Sequence, residues 1–177
     1  MKDMDVKLVP LEEADREQFI LDNQEAFRYG ALEEFGVRDT QFEEDGEIIA
    51  RSTVDREIQE SEGETYRILL NGEIVGGVVL KIGRSGEKGE LGLLFVLPRH
   101  HGKGIGQAAW RAVERLHPEV KVWETFTPYF ETRNIHFYVN RCGFRIVEYF
   151  NRFHRSRQIP AGYMHENGGF RFEKRME

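Results

Sequence analysis

Cysteine is almost missing from this chain: Cys142 is the only one in 177 residues. A lone thiol forms no internal disulfide, and metal clusters of the CxxC type are excluded with it. Long apolar runs are missing too. No stretch approaches the ~20 apolar residues needed to cross a bilayer. The opening "MKDMDVKLVPLEEADREQF" has no apolar segment of the signal-peptide kind. Positive charge is in deficit: 25 Lys and Arg against 31 Asp and Glu leave a formal charge of −6, which argues against general affinity for nucleic acid. No internal repeat or low-complexity linker divides the sequence. These absences predict one globular domain over 1–177, cytoplasmic, without membrane or nucleic-acid partners.

What is present is unevenly spread. Residues 31–64 hold twelve acids and three Lys or Arg, whereas 151–177 hold six Lys or Arg and three acids. Either both are solvated surface, or the acidic segment forms a mouth that attracts a cationic substrate.

The periodicity predicts a mixed α/β (α+β) domain: a strand, two helices, three strands, a helix, a strand, a helix and two last strands, with a central βαβ crossover in a mostly antiparallel sheet. The first strand is "VKLVPL" (6–11). Helical character follows from Glu12 to about Phe35, then again over about 48–61. "TYRILLNGEIVGGVVLKI" (65–82) reads as a hairpin, with Asn71-Gly72 supplying the positive φ angles of a type I′ turn. "ELGLLFVLP" (90–98) reads as a buried strand. Ile105, Ala108, Ala109, Ala112, Val113 and Leu116 then recur at helical spacing, closed by His117-Pro118. "VKVWETFTP" (120–128) is the next strand. "RNIHFYVNRCGF" predicts a short helix ended by Gly143, and 144–150 and 169–176 are the closing strands.

The densest signal is "LFVLPRHHGKGIGQAAW" (94–110). Three glycines in five residues stand between a strand and an amphipathic helix. Such a turn aims backbone N–H groups and the positive end of the helix dipole at one point, a site for phosphate or pyrophosphate. No GxxxxGK[ST] string exists, so a P-loop is excluded. Gly104-x-Gly106-x-x-Ala109, with Glu124 twenty residues beyond Gly104, fits a dinucleotide fingerprint. Against that reading, Pro98-Arg99-His100-His101 separates strand from glycines, and hairpins precede the motif.

The frame His101-Gly102-Lys103-Gly104-Ile105-Gly106 resembles the acetyl-CoA pyrophosphate loop of the GNAT superfamily of N-acetyltransferases, Q/R-x-x-G-x-G/A, with histidine at the first position. "NIHFYVNRCGF" resembles that family's second signature, a Tyr-bearing helix followed by a GF turn into a strand. The resemblance implies the GNAT fold and acetyl transfer from acetyl-CoA, without metal, to a primary amine by direct attack in a ternary complex. It implies that pantetheine pairs with exposed main chain of Phe95, Val96 and Leu97, where strands 90–98 and 120–128 splay. Residues 101–107, through Gln107, would wrap the pyrophosphate, with Arg99, Lys103 and Arg111 adding charge. Tyr138 would protonate the departing thiolate, and Glu90, or alternatively Glu124, would take the amine's proton through water. Where the family often has a pantetheine-binding Asn, seven residues before the Tyr, this chain has Glu131; Asn134 is the candidate substitute. The acceptor would be a small cationic amine or a peptide amine, steered by Glu43, Glu44 and Asp45 and capped by loop 151–169, in a possible homodimer. A non-catalytic acyl-CoA-binding module and a dinucleotide-binding protein are the alternatives.

Overall fold

The computed structural model describes residues 4–30, 47–129, 131–155 and 168–177. Glu43, Glu44, Asp45 and most of loop 151–169 lie outside them. The strands are β1 (Val6–Pro10), β2 (Thr65–Leu70), β3 (Glu73–Ile82), β4 (Lys88–Val96), β5 (Val122–Pro128), β6 (Arg145–Phe150) and β7 (Gly169–Arg175). The helices are α1 (Arg16–Tyr29), α2 (Arg51–Glu60), α3 (Ile105–Leu116) and α4 (Thr132–His136). Strand order is β1-β2-β3-β4-β5-β7-β6. β4 and β5 pair in parallel, joined through α3 as the predicted crossover. Among the described residues no helix is long and apolar enough to cross a membrane.

The chain forms two compact units. The first comprises residues 1–82 and 92–118. Its β2–β3 hairpin turns at Asn71 (φ 52°) and Gly72 (φ 80°), the left-handed pair that asparagine and glycine tolerate best. One core joins Phe19 and Ile20 of α1 and Val54 and Ile58 of α2 to Val79, Leu93 and Phe95. A second seats Ile105 and Ala109 of α3 on Val6, Ile68 and Val75. Trp110 of α3 is also buried, whereas Leu116, expected on the apolar face, is 43% exposed at the helix end.

α1 begins at Arg16, later than the sequence suggests, because Glu13–Asp15 forms a single 3-10 turn. Asp15 is held there by buried Arg67 of β2, whose Nε donates to it at 2.7 Å. Arg67 also donates to Asp22 at 2.9 Å and lies over the Phe19 ring. Two carboxylates and a ring face compensate a guanidinium that would otherwise be costly to bury. Gly76 of β3 is forced by proximity: a Cβ there would stand 2.1 Å from the Phe95 carbonyl oxygen.

The second unit comprises residues 83–91 and 119–177. Here β7 lies between β5 and β6, antiparallel to both. Its core is aromatic, with Phe144, Phe172 and Trp123 almost wholly buried. After His136 the helical path widens into a π turn over Phe137–Arg141, closed by Cys142 N–H donating to Phe137 C=O at 3.0 Å. The expected terminator, Gly143, has φ 85°.

Candidate active site

In the first unit, β4 leads into a 3-10 turn over Pro98–His100 and then into the glycine segment. Gly102 (φ 76°) and Gly104 (φ 77°) are left-handed, and Gly104 is the N-cap of α3. A Cβ at either would meet nothing within 4 Å. Glycine is therefore required for the backbone path, and the space above it is open. Gly106 lies inside the first turn of α3 without a positive φ. The first bond closing the helix runs from Ala108 N–H to Gly104 C=O at 3.1 Å. The amides of Ile105, Gly106 and Gln107 precede it and point out of the helix end. Room and convergent amides are what a diphosphate requires, so the segment fits that ligand.

His101 turns away from that opening. Its Nε2 donates to the Val96 carbonyl at 2.6 Å, and its ring sits edge-on to Tyr29 at 5.4 Å. What it offers an anion is backbone, not imidazole. Phe95 and Leu97 bury their side chains in the core, and Leu97 N–H is bonded to Val75 C=O at 2.8 Å. Lys103 and Arg111 are exposed; Arg99, also exposed, lies 3.8 Å from Glu73.

In the second unit, β4 pairs with β5 over four residue couples that end at Leu91–Thr125, although β5 runs on to Pro128. The register sets Glu90 beside Glu124, and Glu124 beside Glu173 of β7. Side chains in register share a face, so three carboxylates form one row. Arg171 serves that row: its Nη1 donates to Glu124 at 2.8 Å and Glu173 at 3.1 Å, and its Nε to Glu148 at 3.0 Å. Glu124 is thus held in an ion pair.

Tyr138 occupies the opposite face of the sheet. Its ring packs on Phe172 (5.5 Å) and Phe144 (5.8 Å), and its hydroxyl shares a hydrogen bond with Thr125. Thr125 gives its own proton to Leu91 C=O at 2.9 Å, which leaves the phenol as donor to Thr125. Burial above all, with the charges of Glu131 and Cys142 adding to it, pushes the phenol above its ordinary value. Asn134 donates from Nδ2 to Glu131 Oε2, and burial lifts the Glu131 carboxyl to about 7. Tyr138 and Asn134 are thus gathered on one helix, whereas Glu90 and Glu124 face the other way. Sequence reasoning missed Thr125, whose only signal is a hydroxyl at an inward position of an apolar strand, and the Arg171 clamp, which left no local signal.

The family model described as "Acetyltransferase (GNAT) family" matches residues 31–144. The chain belongs to the GNAT family. A Bacillus subtilis (strain 168) relative, described as uncharacterized protein YrkN, is 41% identical over 156 residues, covering 88% of this chain and 79% of the relative. Among solved structures, the PaiA N-acetyltransferase of Thermoplasma acidophilum in complex with coenzyme A superposes with a TM-score of 0.66 at 16% identity, over 98% of this chain and 100% of that one. The ribosomal-protein-S18-alanine N-acetyltransferase of Escherichia coli gives 0.65 at 12%, over 96% and 92%. The mixed, mostly antiparallel GNAT sheet expected from the sequence is the observed fold.

Proposed function

We propose that this GNAT chain moves an acetyl group from acetyl-CoA to a primary amine, by direct attack in a ternary complex, with residues 1–177 working as one catalytic domain. The observation that carries this reading is the left-handed Gly102–Gly104 turn at the head of α3. It presents main-chain donors at an open surface, and a solved relative is described in complex with coenzyme A. Residues 101–107 hold the diphosphate in this reading, and main chain at 95–97 lies along the pantetheine arm. Of those three residues Leu97 has its amide bonded to Val75 and Val96 its carbonyl to His101. Tyr138 protonates the departing thiolate. Glu90 takes the amine's proton, with Glu124, whose carboxylate is paired with Arg171, as the alternative base.

Bound acetyl-CoA would supply an activated acyl carbon; the chain's residues hold it and move protons. A panel of small amines and peptide N-termini, assayed with acetyl-CoA by release of free thiol, tests the reading. Turnover with at least one amine is expected. Tight coenzyme binding with no turnover on any amine would mark a non-catalytic acyl-CoA-binding module instead.

A further inference from the structure

The side chain of His101 ties the glycine segment back to the strand it follows. Its Nε2 stands 2.6 Å from the carbonyl oxygen of Val96, five residues earlier. A carbonyl oxygen only accepts, so Nε2 carries the proton whether the ring is neutral or charged. The turn between them makes the reach possible: His100 N–H donates to Leu97 C=O at 2.8 Å and His101 N–H to Pro98 C=O at 3.1 Å. Leu97 turns its own N–H to Val75 of β3. Neighbouring residues of a strand turn theirs to opposite edges, so Val96 faces the edge away from β3. That is the edge on which the pairing with β5 ends at Leu91. Beyond His101 stand Gly102 and Gly104, both left-handed and, with Lys103 between them, exposed. Glycine has the most backbone freedom to lose, so ordering this loop on a ligand is costly unless it is ordered beforehand.

We propose that the His101 imidazole is a latch: it fastens the loop's entrance to Val96 and stays fastened while coenzyme binds, holding the loop's amides ready for the diphosphate. This rests on the acetyltransferase reading above and makes His101 a positioning residue acting through the main chain. The bond joins groups only five residues apart, so closing it costs little chain entropy. The ring is also held from α1, where Tyr29 meets it edge-on at 5.4 Å. α1 in turn is seated on β4, with Phe19 edge-on to Phe95 at 5.2 Å. Loop, strand and helix are thus joined at one imidazole. Histidine at the head of the glycine frame then has a use other than touching phosphate. An imidazole that instead blocked an acceptor needed by pantetheine would act with the opposite sign. Losing a latch weakens coenzyme binding; losing a block tightens it.

Calorimetry with coenzyme A on the native chain, His101→Phe and His101→Gln tests the latch, beside steady-state kinetics and melting without ligand. Phenylalanine keeps a ring against Tyr29 and loses the donor; glutamine keeps an N–H donor of similar reach. His101→Phe should raise the dissociation constant of coenzyme A, and KM for acetyl-CoA, by roughly tenfold, while kcat at saturation holds. His101→Gln should recover most of that affinity. A lower Tm with coenzyme affinity unchanged makes the bond structural only and overturns the latch. So does tighter binding by His101→Phe, a loss confined to kcat, or a glutamine that rescues nothing. In each of those cases acetyl transfer by the native chain stands. A native chain that takes up no coenzyme A brings down the acetyltransferase reading itself, and the latch with it.

Discussion

Buried Tyr138 and half-buried Glu131 separate chemistry from packing in the second unit. Tyr138 touches three aromatic rings, enough to explain its burial without any reaction, so removing only its hydroxyl is informative. Tyr138→Phe keeps the ring contacts and should cut turnover by roughly a hundredfold, with coenzyme A affinity held; equal turnover would strip it of the acid role. Glu131 gives a prediction independent of activity. Its carboxyl stands at about 7 folded against an ordinary 4.5, so the folded chain binds more protons than the unfolded one between those values. Stability is therefore full below about pH 4.5 and falls as pH rises through about 7. Glu131→Gln should be more stable than the native chain at pH 8, by at most about 3 kcal/mol, with the gap closing below pH 5 in denaturant titrations.

Elements were legible where their signal is local and obscure where it is long-range. Asn71-Gly72 dictates its hairpin because left-handed φ values suit few other pairs, and the apolar period of 105–113 fixes α3. The π turn after His136 is invisible to period counting, since an inserted residue leaves composition unchanged. The Glu13–Asp15 turn depends on Arg67, 52 residues from Asp15. Of the site, the glycine turn and Tyr138 were readable; the split of acid and base candidates between sheet faces appears only once the Glu90–Glu124 register is known. Two glycines should then behave differently. Gly76→Ala drives a Cβ into backbone at 2.1 Å and should cost more than ~2 kcal/mol, with a matching loss of Tm. Gly104→Ala meets open space and should cost only about 1 kcal/mol for its positive φ, yet weaken coenzyme A binding in calorimetry.

For the molecule as a whole, ligand linkage gives the simplest check. Coenzyme A at a hundred times its dissociation constant should add about 2.7 kcal/mol, which for a chain of this size raises Tm by about 5–10 °C; NAD should leave Tm unmoved. The same melting experiment has a second readout built into the fold. Cys142, the sole sulfhydryl, is 4% exposed and out of reach of a chromogenic disulfide reagent while the chain is native. Such a dye added during catalysis counts only liberated coenzyme, and in its absence a sudden stoichiometric colour burst on heating dates the moment the interior opens.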